Sequence, residues 1–294
     1  MKEDFISIKV DFAFKFVMKN KKVLRGLLGA ILKINPVSIT DIEFMDTHLS
    51  KNYPNEKKGI LDIRIKINHE KIINIELQIS PFKYWKNRTM FYNFKLFVEQ
   101  GEAGSKYGEF DSCIHISILD FNLFPYDRRF HRTVQLLDTE TCEIYTDKII
   151  FHMVELRKVN DIVINEQEDE LYYWCKLINS KSKEEHEMLA KKNEYIKEAV
   201  TEIEKINRNL ALKQEYIKRQ MALMDEESQR DSYFEAGKEQ GKEEGIKQGV
   251  EEGIEQGIKQ GQLDIAVKLG LSIEQIQAFT GLSLQEIEEI KKEL

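Results

Sequence analysis

The sequence has no hydrophobic run long enough to cross a membrane, and its first ten residues, MKEDFISIKV, lack the apolar centre of a signal peptide. Its three cysteines, Cys113, Cys142 and Cys175, show no CxxC spacing and cannot all pair with one another. These absences argue against a zinc or disulfide framework and favour a reducing compartment. We therefore expect a cytoplasmic protein without membrane segments.

Positive and negative residues are unevenly distributed along a chain whose net charge is -7. Residues 1–100 hold 18 Lys and Arg against 11 Asp and Glu, whereas residues 226–294 hold 8 against 16. A basic front half is typical of a surface that meets a polyanion such as DNA. Ordinary surface charge remains the alternative, because the surplus of positive residues is modest.

Residues 60–79, ILDIRIKINHEKIINIELQI, carry the clearest local pattern. Apolar and polar residues alternate strictly across 61–67 and again across 73–79, and the apolar positions are rich in isoleucine. This period of two predicts two half-buried strands, and the polar residues 68–70 between them predict a tight turn. The stretch is therefore expected to form a β-hairpin.

The register of this hairpin brings two carboxylates together. Pairing Ile67 with Lys71 around the turn sets Asp62 opposite Glu76 on the polar face, with Gln78 one step further along it. Opposed side chains lie about 5 Å apart at Cβ, so the two acids either share a proton or bind a cation. A hard divalent ion suits such a pair. A solvated hairpin face with ordinary surface charges is the alternative.

The other elements follow from hydrophobic periodicity and from glycine and proline. Helices are predicted within residues 8–34, with a polar break at 19–22, and at 85–100; strands are predicted at 39–44, 112–120, 130–137 and 148–156. Helix, hairpin, helix and then further strands is an α/β order with mixed strand directions. From residue 169 onward the pattern becomes helical and heavily charged.

Seven glycines recur every four residues in the C-terminal third, which is an internal repeat. They are Gly237, Gly241, Gly245, Gly249, Gly253, Gly257 and Gly261. Glycine weakens a helix by roughly 0.8–1 kcal/mol relative to alanine, but glycine at every fourth position also lets a second helix approach closely. The repeat is either a self-association helix or a flexible, charged linker.

Residues 262–294 predict three short helices separated by Gly270 and Gly281, with Ser272 and Ser283 as helix caps. This arrangement is typical of a helix-turn-helix module. The last helix is rich in glutamate, which suits phosphate poorly. A protein contact therefore fits this tail better than direct DNA reading, and both stay open.

With these residues in place, the chain resembles the recombination-promoting nuclease family, also called the PD-(D/E)XK nuclease family transposases. The resemblance rests on VDFAFKFVM around Asp11, the LDI…ELQ hairpin, the spacing of Arg88 and Tyr92, and the strand TDKIIFHMVELRK. The glycine repeat and the tail are also similar to that group. The resemblance implies a restriction-endonuclease-like α/β fold, with a mixed-sheet core, a long helical C-terminal extension and metal-dependent DNA cleavage.

The family's functional residues map onto the chain one by one. Asp62 matches the first metal-binding acid and Glu76 the second, and the Leu77 carbonyl would complete the metal ligands. Asp11 matches an N-terminal acid that completes the site or positions water, or else it caps the first helix. Gln78 stands where the general pattern has lysine and would orient the attacking water. The expected cofactor is Mg²⁺, or another divalent cation such as Mn²⁺ or Ca²⁺.

The missing motif lysine leaves open which cation would stabilise charge on the phosphate. Lys15, Arg88 or Lys95 would supply it from a helix. These three residues, together with Tyr92, are the predicted DNA contacts. Surface packing is the alternative role for Arg88 and Tyr92.

The resemblance divides the chain into a nuclease-like core at 1–180, a charged helical region at 181–236, the glycine repeat at 237–261 and the tail at 262–294. The first function it implies is a metal-dependent DNA endonuclease of low sequence specificity, linked to recombination or to defence against foreign DNA. The second is a catalytically weak nuclease-fold module that binds DNA or protein and forms a homo-oligomer through its tail. The third is an assembly protein dominated by the glycine helix.

Overall fold

The computed structural model describes residues 5–49, 59–101, 103–161 and 169–287. The chain forms two compact units, Met1–Leu223 and Met224–Leu294. The first unit contains a six-stranded sheet with flanking helices, and the described part of the second is helical. None of the helices within the described ranges combines the length and apolar character that crossing a bilayer requires.

The elements follow one another in an α/β order. The helices are α1 (Asp11–Met18), α2 (Lys21–Leu32), α3 (Trp85–Val98), α4 (Glu170–Asn179), α5 (Lys183–Leu189), α6 (Glu194–Arg208), α7 (Leu210–Lys268) and α8 (Ile273–Thr280). The strands are β1 (Ile42–Phe44), β2 (Ile63–Ile67), β3 (Lys71–Gln78), β4 (Ser112–Leu119), β5 (His131–Leu137) and β6 (Ile144–Glu155).

The sheet has the strand order β1-β2-β3-β4-β6-β5. Strands β3, β4 and β6 run parallel, whereas β1–β2, β2–β3 and β5–β6 pair antiparallel. This mixed sheet, with its helices and the long α7, confirms the predicted fold class. The predicted β2–β3 hairpin is present with the predicted pairing of Ile67 and Lys71.

Strand β3 is buried on both faces, which corrects the prediction of a half-buried hairpin. One face joins a core with α1, α2, α4 and α6 through residues such as Ile73 and Ile75. The other face lies under α3, where Ile72 packs with Tyr92 and Leu96. Parallel sheets are normally covered by helices on both sides, so the polar residues of β3 lie inside the protein rather than in solvent.

Helices α5 and α6 belong to the first unit, although the sequence predicts a boundary at residue 180. Helix α6 buries Ile196, Ile203 and Ile206 in the same core as α1 and α2. Tyr216, in the first turns of α7, is buried there too and accepts a hydrogen bond from the Ser7 N–H at 3.0 Å. The amphipathic stripe of α6 needs this partner surface, so the compact unit extends to Leu223.

The C-terminal glycines lie inside one continuous helix, because α7 runs through the whole repeat to Lys268. The tail then follows its predicted turns. Gly270 and Gly281 take positive φ angles of 68° and 72°, and Ser272 and Gln275 form a capping box at the start of α8. Most of the predicted third helix, including its later glutamates, lies outside the described residues.

Candidate active site

The hairpin register places Asp62 at the edge of the sheet. The β2–β3 ladder runs from Ile67–Lys71 to Ile63–Ile75, so Asp62 directly precedes the ladder on the side of Glu76. Its carboxylate is tied to the neighbouring strand, since the Leu77 N–H donates to Asp62 Oδ2 at 3.3 Å. The predicted register is therefore correct up to the first paired residue.

The chain bends at Asp62, and the bend turns the carboxylate toward α1. Leu61 packs under α3 beside Tyr92, where strict alternation would put it on the opposite face. Asp62 instead pairs with Lys15 of α1. Glu76 pairs instead with Arg88 of α3, and the charges of Asp62 and Lys15 still act on Glu76, so the two acids are neighbours whose cations come from different helices.

Lys15 lies between two carboxylates. Its Nζ is 3.0 Å from Asp62 Oδ1 and 2.9 Å from Asp11 Oδ1. Asp11 and Lys15 are four residues apart on α1, so they share one side of that helix. Asp11 is the first helical residue and Val10 is the cap, so Asp11 is not the helix cap that the sequence allowed.

Burial and charge act against each other in this group. Burial raises the pKa of Asp62, and the ammonium of Lys15 partly offsets that rise. Burial by itself would lower the pKa of Lys15, but Asp62 and Asp11 together raise it. Lys15 is therefore held as a cation beside Asp62, while Gln78 occupies the motif position where the pattern has lysine.

Glu76 is the most deeply buried acid of the site, with 2% of its surface exposed. The Asn74 side-chain N–H donates to Glu76 Oε1 at 3.1 Å, and Arg88 Nη2 lies 3.7 Å from Oε2. Burial raises the pKa of Glu76 to about 7, even though Asn74 and Arg88 both act to lower it, and the charge of Asp62 adds to the rise. Glu76 is thus a carboxyl that exchanges its proton near neutral pH.

Arg88 is fixed over Glu76 by two aromatic rings. Its guanidinium carbon lies 5.4 Å from the ring centre of Trp85 and 5.2 Å from that of Tyr92. Both distances suit cation–π attraction. Arg88 is still about a third exposed, so it can face both Glu76 and a ligand.

Tyr92 meets this group through its contact with Arg88, whereas Gln78 and Lys95 lie in other surroundings. The Gln78 side-chain amide donates to the Ser80 carbonyl at 3.0 Å, at the end of β3. Tyr92 is 6% exposed in the core under α3, and Lys95, 8% exposed, lines a neighbouring cleft with Glu99 and Asp111. As placed, Tyr92 and Lys95 offer little surface to a nucleic acid, because α3 turns that side of itself toward the sheet.

A cleft of about 730 Å³ opens beside Asp62. Its charged lining comprises four basic and two acidic side chains: Lys15, Lys19, Arg64, Arg219, Asp11 and Asp62. Sequence reasoning missed Lys19, Arg64 and Arg219 as site residues. Arg64 could have been found by its two-residue spacing from Asp62, whereas nothing in the charged pattern around Arg219 indicates that α7 returns to this cleft.

The two motif acids fit a hard divalent cation. Mg²⁺ usually takes one or two carboxylates, with waters and substrate phosphates as the other ligands. Asp62 and Glu76 provide two such oxygen donors, and burial makes the charged form of each costly without a cation nearby. No group of three or more His, Cys, Asp or Glu side chains within the described ranges could hold a metal, so the protein would supply two carboxylates and no complete cage.

Comparison with known proteins identifies one related family. The family model described as PD-(D/E)XK nuclease family transposase matches residues 8–232, which include the sheet, the hairpin and the group around Asp62 and Glu76. No curated protein and no solved structure matches the chain. The members of such nuclease families generally use divalent metal ions.

Proposed function

The chain belongs to the PD-(D/E)XK nuclease family transposases, and from this membership we propose that it is a Mg²⁺-dependent DNA endonuclease of low sequence specificity. The family indicates a nuclease-type function and DNA as the partner. The metal, the mode of cleavage and a role in recombination or in defence against foreign DNA are our proposals.

One observation carries the proposal: two partly or fully buried carboxylates at neighbouring strand ends each lie beside a cation, and Asp62 lines a basic cleft. Asp62 pairs with Lys15, and Glu76 faces Arg88. A fold that needed only stability would gain little from placing a buried carboxyl and three partly exposed charges together at one edge. Hydrolysis of a phosphodiester needs acids that hold a metal and cations that receive negative charge.

Each residue has a distinct role in this proposal. Asp62 and Glu76 hold the divalent cation, with the Leu77 carbonyl as a further ligand, and the bound cation supplies Lewis acidity toward a phosphate oxygen. Lys15 neutralises charge that develops on the phosphate, and Asp11 keeps Lys15 in place. Gln78 orients the attacking water. Arg88 contacts the DNA backbone while it balances the charge of Glu76.

The basic surface continues along the same edge of the sheet, which supports a path for DNA. Strands β4 and β6 end at this edge, and there a second cleft of about 700 Å³ begins at Asp120 and Arg157. It is lined by five basic residues and two tyrosines: Lys9, Arg157, Lys176, Lys181, Lys192, Tyr172 and Tyr173. Contacts of such cations to phosphate position DNA without reading its bases, so weak sequence preference is expected.

Cleavage of a closed circular plasmid tests the proposed function, because a circle without ends is cut only by an endonuclease. We expect nicked and then linear DNA with Mg²⁺ and intact supercoiled DNA with EDTA. Parallel reactions with Mn²⁺ and Ca²⁺ identify the preferred ion. Folded protein that shifts DNA in a gel at low salt but never nicks it would contradict the enzyme and support the DNA-binding module.

Divalent binding is expected to depend on pH because Glu76 has a pKa of about 7. Its pKa is raised, so the carboxyl is protonated below that value and a cation must displace the proton. Affinity for Mg²⁺ should therefore fall roughly tenfold for each pH unit below 7 and level off above it. Calorimetry at pH 5.5, 6.5 and 8 measures this affinity, and the Glu76→Gln variant should lose the fall in affinity below pH 7.

We also propose that the chain forms a homo-oligomer through the glycine repeat. A Cβ built at any of the seven glycines meets nothing within 4 Å among the described residues. The apolar residues Ile246, Val250, Ile254 and Ile258 recur at the same spacing and are 54–58% exposed. Glycine beside an exposed apolar stripe suits close contact with a second helix.

Sedimentation velocity tests this association. A Val250→Glu and Ile254→Glu double variant should sediment as a monomer where the wild type does not. The Gln248→Glu variant, which adds a charge beside the stripe, should sediment like the wild type. A monomeric wild-type protein would contradict the proposal.

A further inference from the structure

Beneath α3, the two central strands bury polar side chains where their neighbours carry isoleucine. Asn74, His115 and Ser117 have no exposed surface, and Glu76 has 2%. In the parallel register of β3 and β4, Asn74 lies beside His115 and Glu76 beside Ser117. Buried polar groups are costly unless each is hydrogen-bonded. Their concentration around one proposed ligand of the metal therefore calls for a functional reason.

These side chains form one hydrogen-bonded network. The Trp85 indole N–H, which can only donate, bonds Ser117 Oγ at 3.1 Å. Ser117 Oγ lies 3.0 Å from His115 Nε2, and His115 Nδ1 lies 3.0 Å from the Asn74 amide nitrogen. That same amide nitrogen donates to Glu76 Oε1. The network of hydrogen bonds therefore links Trp85 to Glu76 through two strands.

The donors of this network fix the tautomer of His115 and the orientation of the Asn74 amide. Because the Asn74 amide donates to His115 Nδ1, the histidine carries its proton on Nε2 and donates it to Ser117. Burial, and then the charge of Arg88, lower the pKa of His115 to about 3, which keeps it neutral and able to accept. A rotated Asn74 amide would turn its carbonyl oxygen toward the carboxylate of Glu76, so His115 holds the amide in the one favourable orientation.

This hydrogen-bonded network is poorly suited to a purely structural role. Asn74 Oδ1 is buried and has no hydrogen-bond partner among the residues that the structure describes. An unsatisfied buried acceptor destabilises a protein, and an apolar side chain of similar shape would remove the defect. Asn93 Oδ1 carries the same defect, so what distinguishes Asn74 is that its amide holds Glu76.

We propose that Asn74 and His115 are positioning residues for Glu76. Neutral His115 orients the Asn74 amide, and the amide fixes Glu76 Oε1, so the carboxylate is held in one orientation in which it would bind the divalent cation. The inference rests on the proposed metal-dependent function. Partners that orient a metal ligand typically contribute about 10–100-fold in metal affinity or activity.

Calorimetric titration of the full chain with Mn²⁺ tests the proposal without relying on cleavage. The Asn74→Leu variant should bind Mn²⁺ about 10–100-fold more weakly than the wild type, while its melting temperature stays equal or rises. Asn93→Leu is the matched control. Asn93 is equally buried, but its amide donates to the Cys113 and Ile150 carbonyls between strands, so its loss should lower the melting temperature and leave Mn²⁺ affinity unchanged.

Two substitutions of His115 distinguish the loss of its hydrogen-bond acceptor from the loss of its side-chain volume. His115→Asn keeps an acceptor near Nδ1 and should retain Mn²⁺ affinity within a few-fold, whereas His115→Leu should lose it as Asn74→Leu does. Wild-type-like affinity in both leucine variants would overturn the positioning role while the proposed function stands. A wild-type protein that binds no Mn²⁺ would contradict the proposed function, and this inference with it.

Discussion

Replacing Asp62 with asparagine is expected to lower the rate of plasmid cleavage by about 10³-fold or more. Metal ions contribute several kcal/mol to transition-state stabilisation, and each 1.36 kcal/mol changes a rate tenfold. Asparagine keeps an oxygen that can accept the Leu77 N–H but loses the charge that binds the cation and pairs with Lys15. The fold should therefore remain while the activity is lost.

The Asp111→Asn variant is the matched control for this loss. Asp111 is also partly buried and pairs with Lys66 at 2.7 Å, but it lines the neighbouring cleft beside Lys95, which shares Met45 and Arg64 with the cleft beside Asp62. Its replacement should leave cleavage within a few-fold of wild type. Initial rates on supercoiled plasmid in Mg²⁺, together with circular dichroism spectra of both variants, measure the difference. Cleavage by the Asp62→Asn variant at the wild-type rate would show that Asp62 has no role in the active site.

Replacing Lys15 with methionine is the second large effect, and it should separate binding from catalysis. Loss of one preorganised group that stabilises transition-state charge costs about 10²–10³ in kcat. Lys15 also competes with a divalent cation for Asp62, to which it lies 3.0 Å away. The variant should therefore bind Mn²⁺ as tightly as the wild type, or more tightly, while its kcat falls.

The Lys19→Met variant tests whether any positive side chain of the cleft could stabilise the transition state as Lys15 does. Lys19 lines the same cleft as Lys15, one helical turn further along the chain. Its loss should weaken DNA binding slightly, make that binding less dependent on salt, and leave kcat near the wild-type value. Equal losses of kcat in the two variants would mean that Lys15 acts only as part of the general positive charge.

The sequence predicts the hairpin well because alternation and turn chemistry are local properties. Isoleucine at every second position determines the strands, and the short polar turn determines the pairing of Ile67 with Lys71. The bend at Asp62 is not local, since it depends on Leu61 packing against Tyr92 under α3. The alternation pattern therefore predicts that the two acids are neighbours but not which helix supplies the cation beside each of them.

The identity of the neighbouring cation is a tertiary property for the same reason. Lys15, Arg88 and Lys95 are equal candidates in the sequence, and only the packing of α1 and α3 separates them. Lys15 reaches Asp62, Arg88 reaches Glu76, and Lys95 is buried in another cleft. The buried chain through Asn74 and His115 is visible in the sequence only as polar residues at alternate strand positions, a pattern that equally predicts a solvent-exposed face.

The sequence pattern also does not predict where the first unit ends. The charged helices after residue 180 show amphipathic spacing, but that spacing does not specify the partner surface. In the structure, Ile196 and Ile203 of α6 pack into the core of the sheet. Truncation at residue 180 would therefore remove part of this core, which is why every experiment above uses the full chain.

The most direct test of the central claim is plasmid cleavage by the wild type and by Glu76→Gln, each with Mg²⁺ and with EDTA. Glutamine keeps the shape of Glu76 and can still accept the Asn74 N–H, but it cannot bind the cation as a carboxylate. We predict nicking only by the wild type and only with Mg²⁺. Equal Mg²⁺-dependent nicking by both proteins, or nicking by the wild type in EDTA, would contradict a metal site built on Glu76.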